Sequence, residues 1–246
     1  MLIAILTDIH GNREALDACV AHAHAQGAER FVFLGDFVGY GADPAYVVET
    51  AARFQEDGAI LVKGNHDAAI QQGAKGMNQY ARAAIDWTRD QLDAEHKALL
   101  ESLPLSVETD EALYVHSDAA SPASWIYVTS PVEAERSMLA TPKRVTFCGH
   151  VHQPRLYHKT LQKLPVCFTP ISGRPIPLAK SQKWHAVVGS VGQPRDEIPS
   201  AAYALYDNAK GTLTFMRVPY DIERAAKKIK DAGLPAILSA RLYIGR

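Results

Sequence analysis

The sequence predicts an α/β fold in which two β-sheets pack together and helices cover the outside. Three observations carry this prediction. The first half alternates short apolar runs with helix signals, which is typical of βαβ units and a largely parallel sheet. After His152 the pattern changes to short strand-like segments separated by turns, which predicts a second, antiparallel sheet. Five apolar runs stop at polar residues, as strands do when their ends surround a binding crevice.

Length and composition predict a single domain over residues 1–246. A chain of this size buries about 70 to 75% of its unfolded surface, which is enough for one sizeable core. Hydrophobic residues make up 47% of the chain and charged residues 22%. These proportions argue against a disordered or fibrous protein.

The charge balance argues against a nucleic-acid partner. The chain has 26 basic and 27 acidic residues, so it lacks the positive footprint that phosphate backbones attract. The basic cluster at residues 224–230 interleaves with apolar residues at helical spacing, which is typical of a solvated helix face. We expect no stable nucleic-acid binding, and the sequence leaves the oligomeric state open.

Three features predict a cytoplasmic protein without membrane association. No apolar run approaches the roughly 18 residues of a membrane span. The apolar start at residues 1–6 lacks a basic n-region, and Asp8 follows it closely, so it is interpreted as a buried strand. The three cysteines are sparse and odd in number, which suits a reducing cytosol better than a disulfide framework.

Helix signals follow one another along the first half. An apolar stripe at residues 16–23 ends near Gly27, and the next helix takes Asp43 as N-cap and Pro44 as first residue and stops at Gly58. Residues 68–103 are expected to be mostly helical with a break near Asp93. Their inward-facing residues are expected to be Tyr80, Ala84, Ile85, Trp87 and Leu92. A capping box at residues 130–133 starts another helix that runs through residue 139.

Strand signals dominate the second half. Residues 164–168, 184–188, 202–206 and 213–218 are the expected strands of the antiparallel sheet. Residues 208–211 are expected to form a hairpin turn. A closing helix begins at Asp221 and ends before Gly233.

The polar residues behind the five apolar runs are the main functional signal. The runs cover residues 2–6, 31–34, 59–62, 113–115 and 145–148. The residues that follow them are Asp8 and His10, then Gly35 and Asp36, then Gly64, Asn65, His66 and Asp67, then His116, then Gly149, His150 and His152. Ligands of open α/β sheets bind at the carboxyl ends of the strands, so these side chains are expected to converge.

Their chemistry predicts a metal site. Asp8 and His10 are two residues apart, so an extended chain would direct both to one side. The Asp36 carboxylate has two oxygens and can bridge two ions about 3.5 to 4 Å apart. Asn65 offers an amide oxygen, and His116, His150 and His152 offer imidazoles. Nitrogen and oxygen donors without thiolate favour Mn, Fe, Zn or Ni over a structural zinc cage.

This ordered series of residues resembles the calcineurin-like metallophosphoesterase family. The resemblance spans the first 152 residues, and the segment 189–196 resembles the prokaryotic, phosphodiesterase-type branch of the same family. It implies a four-layer αββα sandwich with two mixed sheets and a dinuclear metal centre.

Family roles carry over position by position. One divalent ion would be held by Asp8, His10, Asp36 and His152, and the other by Asp36, Asn65, His116 and His150. His66 would contact the phosphate and protonate the leaving oxygen. Two ions would polarise the phosphoryl oxygens and convert a shared water into the attacking hydroxide, so no protein nucleophile is required.

Departures from the family pattern narrow the activity. The phosphoprotein phosphatases and the symmetric diadenosine tetraphosphatases carry an acidic or amide residue and an arginine where this chain has Gly39 and Tyr40. The hypothesis is therefore a hydrolase of phosphodiesters or nucleotide-type phosphate esters. The alternatives are a dinucleoside polyphosphate (diadenosine tetraphosphate) hydrolase or a phosphoprotein phosphatase. A non-catalytic scaffold is disfavoured, because such proteins lose ligands or the histidine at the His66 position.

Residues around the predicted site have two interpretations each. The 189–192 segment is either an amide-lined loop that faces a phosphate, with Arg195 as an anion clamp, or a tight turn. Trp125 and Tyr127 either stack on a nucleobase or pack against the sheet. Tyr40 and Asp43 lie near the expected entrance, and Asp43 is better explained as a helix cap. Arg195 and Tyr40 are the predicted substrate-binding residues.

Overall fold

The computed structural model describes residues 1–160 and 163–246. These residues contain eight α-helices and twelve β-strands. The helices are α1 (Arg13–Ala25), α2 (Pro44–Glu56), α3 (Asn65–Gln72), α4 (Gln79–Gln91), α5 (Ala94–Ser102), α6 (Pro131–Leu139), α7 (Ile222–Asp231) and α8 (Ala236–Ile244). The strands are β1 (Leu2–Leu6), β2 (Arg30–Phe33), β3 (Ile60–Leu61), β4 (Ser106–Glu108), β5 (Ala112–Val115), β6 (Val145–Cys148), β7 (Arg155–Lys159), β8 (Val166–Phe168), β9 (Ile176–Pro177), β10 (Lys183–Val187), β11 (Ala201–Asp207) and β12 (Thr212–Val218).

The strands form two six-stranded sheets, here called sheet A and sheet B. Sheet A has the strand order β3-β2-β1-β11-β12-β9, and sheet B has the order β4-β5-β6-β10-β7-β8. In sheet A, β1 pairs in parallel with β2 and antiparallel with β11. In sheet B, β10 pairs in parallel with β6 and antiparallel with β7. Both sheets are therefore mixed, as the fold prediction requires.

Alternating side chains of the central strands separate the layers, because successive residues of a strand point to opposite faces. Ile3 and Ile5 of β1 lie in the core between the sheets together with Phe147 of sheet B. Ala4 and Leu6 instead join the core on the outer face of sheet A, under α1 and α2. Helix α6 covers the outer face of sheet B. The predicted four-layer αββα sandwich is confirmed.

The C-terminal helices pack beside the edge of the sheets where the polar loops lie. A cluster of buried side chains joins α7 and α8 to α4 and includes Tyr40, Ala84, Ala226 and Leu238. Lys228 of α7, predicted on a solvated face, is instead paired with Glu14 and Asp43 at 2.6 and 2.7 Å. This contact connects α7 to the beginnings of α1 and α2.

The prediction of a separate antiparallel sheet in the second half is wrong. Strands β11 and β12 belong to sheet A, where β11 pairs with β1, whereas β10 lies in sheet B between β6 and β7. Strands β5 and β6 of the first half also belong to sheet B. Local hydrophobic patterns indicate that a segment is a strand, but they do not specify its partner across the chain.

Most helix boundaries are confirmed. Helices α1, α2 and α6 lie where cap signals place them, Asp93 caps α5 and Asp221 caps α7. The predicted turn at residues 208–211 connects β11 and β12. The Asp43 side chain makes no capping hydrogen bond. Its carboxylate accepts a hydrogen bond from Lys228 instead.

Three details of the helix prediction are wrong. A second break separates α3 from α4 at residues 73–78, where Gly73 and Gly76 adopt positive φ. Tyr80 is exposed and Trp87 only half-buried, although both were expected to face inward. Helix α8 follows the expected last helix, because Pro235 serves as its N-cap and not as the end of helical structure. Within the described residues, none of the helices combines the length and apolar character that spanning a membrane requires.

We expect the buried histidine of β10 to reduce stability in acid. His185 is buried on the outer face of sheet B, with Nε2 3.2 Å from Cys148 Sγ. Burial lowers its pKa to about 3, so below pH about 6.5 the unfolded chain binds a proton that the folded chain does not. Stability is therefore lost as pH falls from about 6.5 toward 3. Between pH 7 and 5 the loss from this residue is about 2 kcal/mol.

Urea unfolding of wild type and His185→Leu at pH 7 and pH 5 tests this expectation. The wild type should lose about 2 kcal/mol more than the variant over that interval. Equal losses in the two proteins would show that His185 does not contribute.

Candidate metal centre

The polar loops that follow β1, β2, β5 and β6 meet at one edge of the two sheets. Backbone hydrogen bonds connect them directly. The N–H of Asp8 donates to Gly35 O at 3.0 Å, His10 N–H to Asp36 O at 2.9 Å, and Gly149 N–H to His116 O at 3.0 Å. Side chains from both sheets are thereby placed around one point, as the strand-end pattern predicts.

Five of the seven predicted ligands have left-handed backbone. Their φ angles are 52° at Asp8, 51° at His10, 54° at Asp36, 66° at His150 and 62° at His152. Each such conformation costs a non-glycine residue about 1 to 2 kcal/mol. Strain of this kind persists where the surrounding fold enforces it, and it concentrates at functional sites.

The predicted residues form two groups that share one carboxylate. The first group is Asp8, His10, Asp36 and His152, and the second is Asp36, His116 and His150. All members are buried, and within each group the donor atoms lie within 4.8 Å of one another. The Asp36 Oδ2 atom is 3.7 Å from His10 Nε2 and 3.3 Å from His116 Nε2. Asp36 is thus positioned to serve both groups, and the arrangement can hold metal ions.

Backbone carbonyls orient the four histidines. The contacts are His10 Nδ1 to Val38 O at 3.0 Å, His116 Nδ1 to Leu34 O at 2.7 Å, His152 Nδ1 to Gln193 O at 2.6 Å and His150 Nε2 to Trp125 O at 2.9 Å. A carbonyl only accepts, so the ring nitrogen that faces it carries the proton. The other nitrogen of each neutral ring is then free to bind a metal ion, and such outer contacts are typical of metal-binding histidines.

The pair of His10 and His152 fits a cation particularly well. Their Nε2 atoms are 3.2 Å apart, and burial lowers the pKa of both rings, which keeps them neutral. Two lone pairs therefore face each other across this gap, with Asp8 Oδ1 3.2 Å from His152 Nε2. A cation placed among these atoms would satisfy all three of them.

Asp36 and His116 show the same need for positive charge. Burial opposes ionisation of both groups, but each stabilises the charged form of the other at 3.3 Å. The imidazole of His116 holds the pKa of Asp36 well below its usual range, and the Asp36 carboxylate raises the pKa of His116 to about 9. Positive charge beside this buried carboxylate is therefore favourable.

Asn65 and His66 begin helix α3 and face the same centre. The Asn65 Oδ1 atom is buried and has no hydrogen-bond partner among the described residues, which is unusual unless a ligand completes it. The backbone N–H of His66 donates to Asp36 Oδ1 at 2.8 Å. The His66 ring packs against His10 and Tyr40, with centroid distances of 4.8 and 4.6 Å. Burial lowers the pKa of His66 to about 4.

Two glycines make room for these side chains. A Cβ at Gly39 would overlap His66 Nδ1, and a Cβ at Gly149 would overlap both the hydroxyl of Thr7 and the carboxylate of Asp8. Gly39 also has a φ of +85°, which glycine adopts readily. The glycine at position 39, where related phosphatases were expected to carry a side chain, is therefore required by the position of His66.

Asp67 is a positioning residue that the site prediction left out. Its carboxylate accepts backbone N–H groups from Gly64 at 2.8 Å, Asp36 at 2.8 Å and Phe37 at 2.9 Å. These bonds hold the loop that carries Asp36 against the start of α3, which carries Asn65. An acidic residue at the third position of a helix is a capping signal, so the structural role of Asp67 could have been predicted from the sequence.

Two amides of the loop at residues 189–192 donate hydrogen bonds to the loop that follows β1. The N–H of Val191 donates to Thr7 O and that of Gly192 to Asp8 O, both at 2.9 Å. The Ser190 hydroxyl donates to Asp8 O at 2.8 Å. The interpretation as a tight turn is therefore favoured over that of a phosphate-binding loop.

Arg195 and Tyr40 lie together beside the metal-binding groups. The Arg195 guanidinium is 5.6 Å from the centroid of the Tyr40 ring and donates to Gln193 Oε1 at 3.0 Å. Its charge opposes the burial that raises the pKa of Tyr40 and Tyr127, and it lowers the pKa of His66 in addition to burial. Arg195 is thus close to both tyrosines and to His66, which is consistent with an anion-binding position.

A cavity of about 480 Å³ opens beside this centre. His66, Asn65 and His150 line it on the side of the metal-binding groups, and Trp125 and Tyr127 also contribute to its wall. Neither aromatic residue is buried against the sheet, which was one of the two interpretations of these residues. The loop at residues 117–130 instead supports His150 through Trp125 O and through the Tyr127 ring.

Comparison with known proteins finds relatives that agree with one another in family and fold. Residues 1–211 match the model of the calcineurin-like phosphoesterase superfamily domain. An uncharacterized protein of Methanocaldococcus jannaschii is 32% identical over 251 residues, covering 100% of this chain and 98% of its own. The crystal structure of a metallophosphoesterase from Sphaerobacter thermophilus superposes with a TM-score of 0.88 at 33% identity, covering 100% of this chain and 99% of that one. A hypothetical protein from Pyrococcus horikoshii has a TM-score of 0.79 at 19% identity, covering 100% and 98%, and shares the fold.

Removing the shared carboxylate should remove metal binding. With Mn²⁺ at about 100 times its dissociation constant, binding stabilises the folded protein by about 2.7 kcal/mol, which raises Tm by about 5 to 10 °C in a chain of this size. Asp36→Asn should lose most of this shift. After dialysis it should retain at most about one tenth of the Mn²⁺ that wild type retains. Differential scanning calorimetry and elemental analysis measure the two effects. The control is Asp110→Asn at an exposed position, and identical results for both variants would contradict the assignment.

Adding a methyl group at Gly39 should disturb His66. Gly27 and Gly39 have nearly equal φ angles of +83° and +85°, but a Cβ at Gly27 would meet nothing within 4 Å. Gly27→Ala should therefore cost only the left-handed backbone strain of about 1 kcal/mol, whereas Gly39→Ala adds an overlap worth about 1 to 3 kcal/mol. Urea unfolding measures the difference. Equal destabilisation would mean that His66 moves aside without cost.

Proposed function

This chain belongs to the calcineurin-like phosphoesterase superfamily, and on that premise we propose that it hydrolyses phosphodiesters or nucleotide-type phosphate esters with the help of two divalent metal ions. The observation that carries the proposal is the pair of buried donor groups that share Asp36. Two divalent ions would supply the positive charge that phosphoester hydrolysis needs, and Asp36 belongs to both of the donor groups that would hold them.

The donor set defines where the ions would be held. Asp8, His10, Asp36 and His152 would hold one ion, and Asp36, Asn65, His116 and His150 the other. Bound ions would polarise the phosphoryl oxygens and lower the pKa of water enough for in-line attack at neutral pH. Imidazole, carboxylate and amide donors suit Mn, Fe, Zn or Ni.

The remaining residues bind the substrate and handle the proton. His66 starts α3 and lines the cavity next to the donor groups, so it is placed to contact a phosphoryl oxygen. The negative charge of a bound phosphate would favour the imidazolium that burial alone opposes, and the protonated ring could then give a proton to the leaving oxygen. Gly39 and Tyr40 hold its ring from the other side. Arg195 offers a guanidinium to the non-bridging oxygens, and its hydrogen bonds to Gln193 Oε1 orient that guanidinium.

The cavity favours an anionic substrate with an organic substituent. Its fifteen lining residues include Lys75 but no aspartate or glutamate, so a phosphate ester enters without meeting a carboxylate on this wall. Its volume of about 480 Å³ lies in the range of small-molecule sites. A dinucleoside polyphosphate hydrolase is the second candidate for the same reason. Phosphoprotein phosphatases and diadenosine tetraphosphatases of the symmetric type, which carry a side chain at position 39, are both disfavoured, because His66 occupies the space that this side chain would need.

Replacing His66 should slow catalysis without removing the metal. Protein loaded with Mn²⁺ should hydrolyse bis(p-nitrophenyl) phosphate, and His66→Gln should lower kcat by about 100- to 10,000-fold because a positioned proton donor is lost. Steady-state kinetics and elemental analysis of the same samples measure turnover and metal content. His24→Gln, at an exposed position of α1, is the matched control.

Two outcomes would count against this function. Metal-loaded wild type that cleaves no phosphate ester or anhydride would refute the hydrolase. Loss of metal from His66→Gln would assign His66 to metal binding instead of catalysis.

A further inference from the structure

One side chain of the cavity combines an exposed aromatic face with a direct contact to a metal-binding histidine. The Tyr127 ring stacks on His150 with a centroid distance of 4.0 Å and an interplanar angle of 16°. Nevertheless 49% of Tyr127 is exposed. A stacked ring has two faces, and His150 covers only one of them. The uncovered surface of Tyr127 therefore lines the cavity next to the metal-binding groups.

The loop backbone presents this ring in a defined position. Trp125 has left-handed backbone with a φ of 52°, and its carbonyl accepts a hydrogen bond from His150 Nε2 at 2.9 Å. His150 is thereby held from two sides, by a carbonyl in its plane and by a ring on its face. Tyr127 gains a rigid support in return, and a rigid aromatic surface binds a flat ligand with little loss of side-chain entropy.

The opposite part of the cavity supplies hydrogen-bonding amides and one soft apolar side chain. Gln72, at the end of α3, and Asn78, before α4, line it together with Met77. Amide side chains can both donate and accept, so they suit the edge of a heteroaromatic ring. Methionine adapts to flat apolar surfaces. Among the fifteen lining residues, only Lys75 has a side chain that is permanently charged at neutral pH.

We propose that Tyr127 is a specificity-determining residue that stacks on the planar group of the substrate, so that the enzyme selects phosphate esters of nucleosides. The inference rests on the proposed function and names the substrate class for the same site. The phosphate lies at the donor groups beside His66, and the base extends into the cavity along the Tyr127 ring. A simple sugar phosphate offers no flat ring for this surface.

Two substrates with the same leaving group test the proposal. Thymidine 5′-(p-nitrophenyl phosphate) and methyl p-nitrophenyl phosphate both release p-nitrophenolate, and only the first carries a base. Because stacking of a base on an aromatic side chain has a large effect on binding, wild type should prefer the nucleoside ester by about 5- to 100-fold in kcat/KM. Tyr127→Leu should lose most of this preference through a higher KM. Tyr127→Phe, which keeps the ring, should retain it.

A matched control and a binding measurement complete the test. Tyr243 of α8 is 46% exposed, similar to Tyr127, and Tyr243→Leu should leave the substrate preference of wild type intact. Isothermal titration calorimetry with thymidine 5′-monophosphate and methyl phosphate measures the same selectivity without turnover. Tyr127→Leu should weaken binding of the nucleotide by about 5-fold or more relative to methyl phosphate.

The outcomes separate this inference from the proposed function. A wild type that hydrolyses both esters equally well overturns the inference and leaves the hydrolase intact. Equal slowing of both substrates by Tyr127→Leu also overturns it, because Tyr127 would then only support His150. If metal-loaded wild type cleaves neither ester, the proposed function fails, and the calorimetric selectivity still decides whether the cavity recognises a base.

Discussion

The buried carboxylate of Asp36 is the group on which the site depends. One oxygen faces His10 and His116, and the other accepts the backbone N–H of His66. A buried carboxylate is costly unless hydrogen bonds and opposite charge compensate it. The loops of both sheets supply that compensation, so the same contacts that stabilise Asp36 also determine where the clustered histidines and the start of α3 lie.

The fold keeps this region in a conformation that isolated loops would avoid. Asp8, Asp36 and His150 all have left-handed backbone, and a side chain at Gly149 would collide with Asp8. The backbone hydrogen bonds between the loops and the three N–H groups accepted by Asp67 oppose relaxation. Packing of the two sheets stabilises the strands that carry these loops, because each buried aliphatic side chain of the core contributes about 1.5 to 3 kcal/mol to the free energy of unfolding.

The two sides of the site have different tasks. Donor atoms from the strand ends are rigid and held by backbone carbonyls, which suits metal binding. The cavity wall comes from the 117–130 loop and from the segment between α3 and α4, which are the parts that connect elements without belonging to a sheet. The donor atoms are therefore fixed by the strand ends, whereas much of the cavity wall belongs to connecting segments, which vary more readily in α/β proteins.

Local sequence patterns determined the helices, the strands and the list of polar residues at strand ends. Cap signals such as Ser130 with Glu133, and alternation such as that of β1, act within a few residues and can be read without tertiary context. Three features were decided only in the folded chain. They are the pairing of β11 with β1 across about two hundred residues, the space that Gly39 leaves for His66, and the stacking of Tyr127 on His150. Each of these depends on contacts between segments far apart in sequence, and no local pattern encodes such distances.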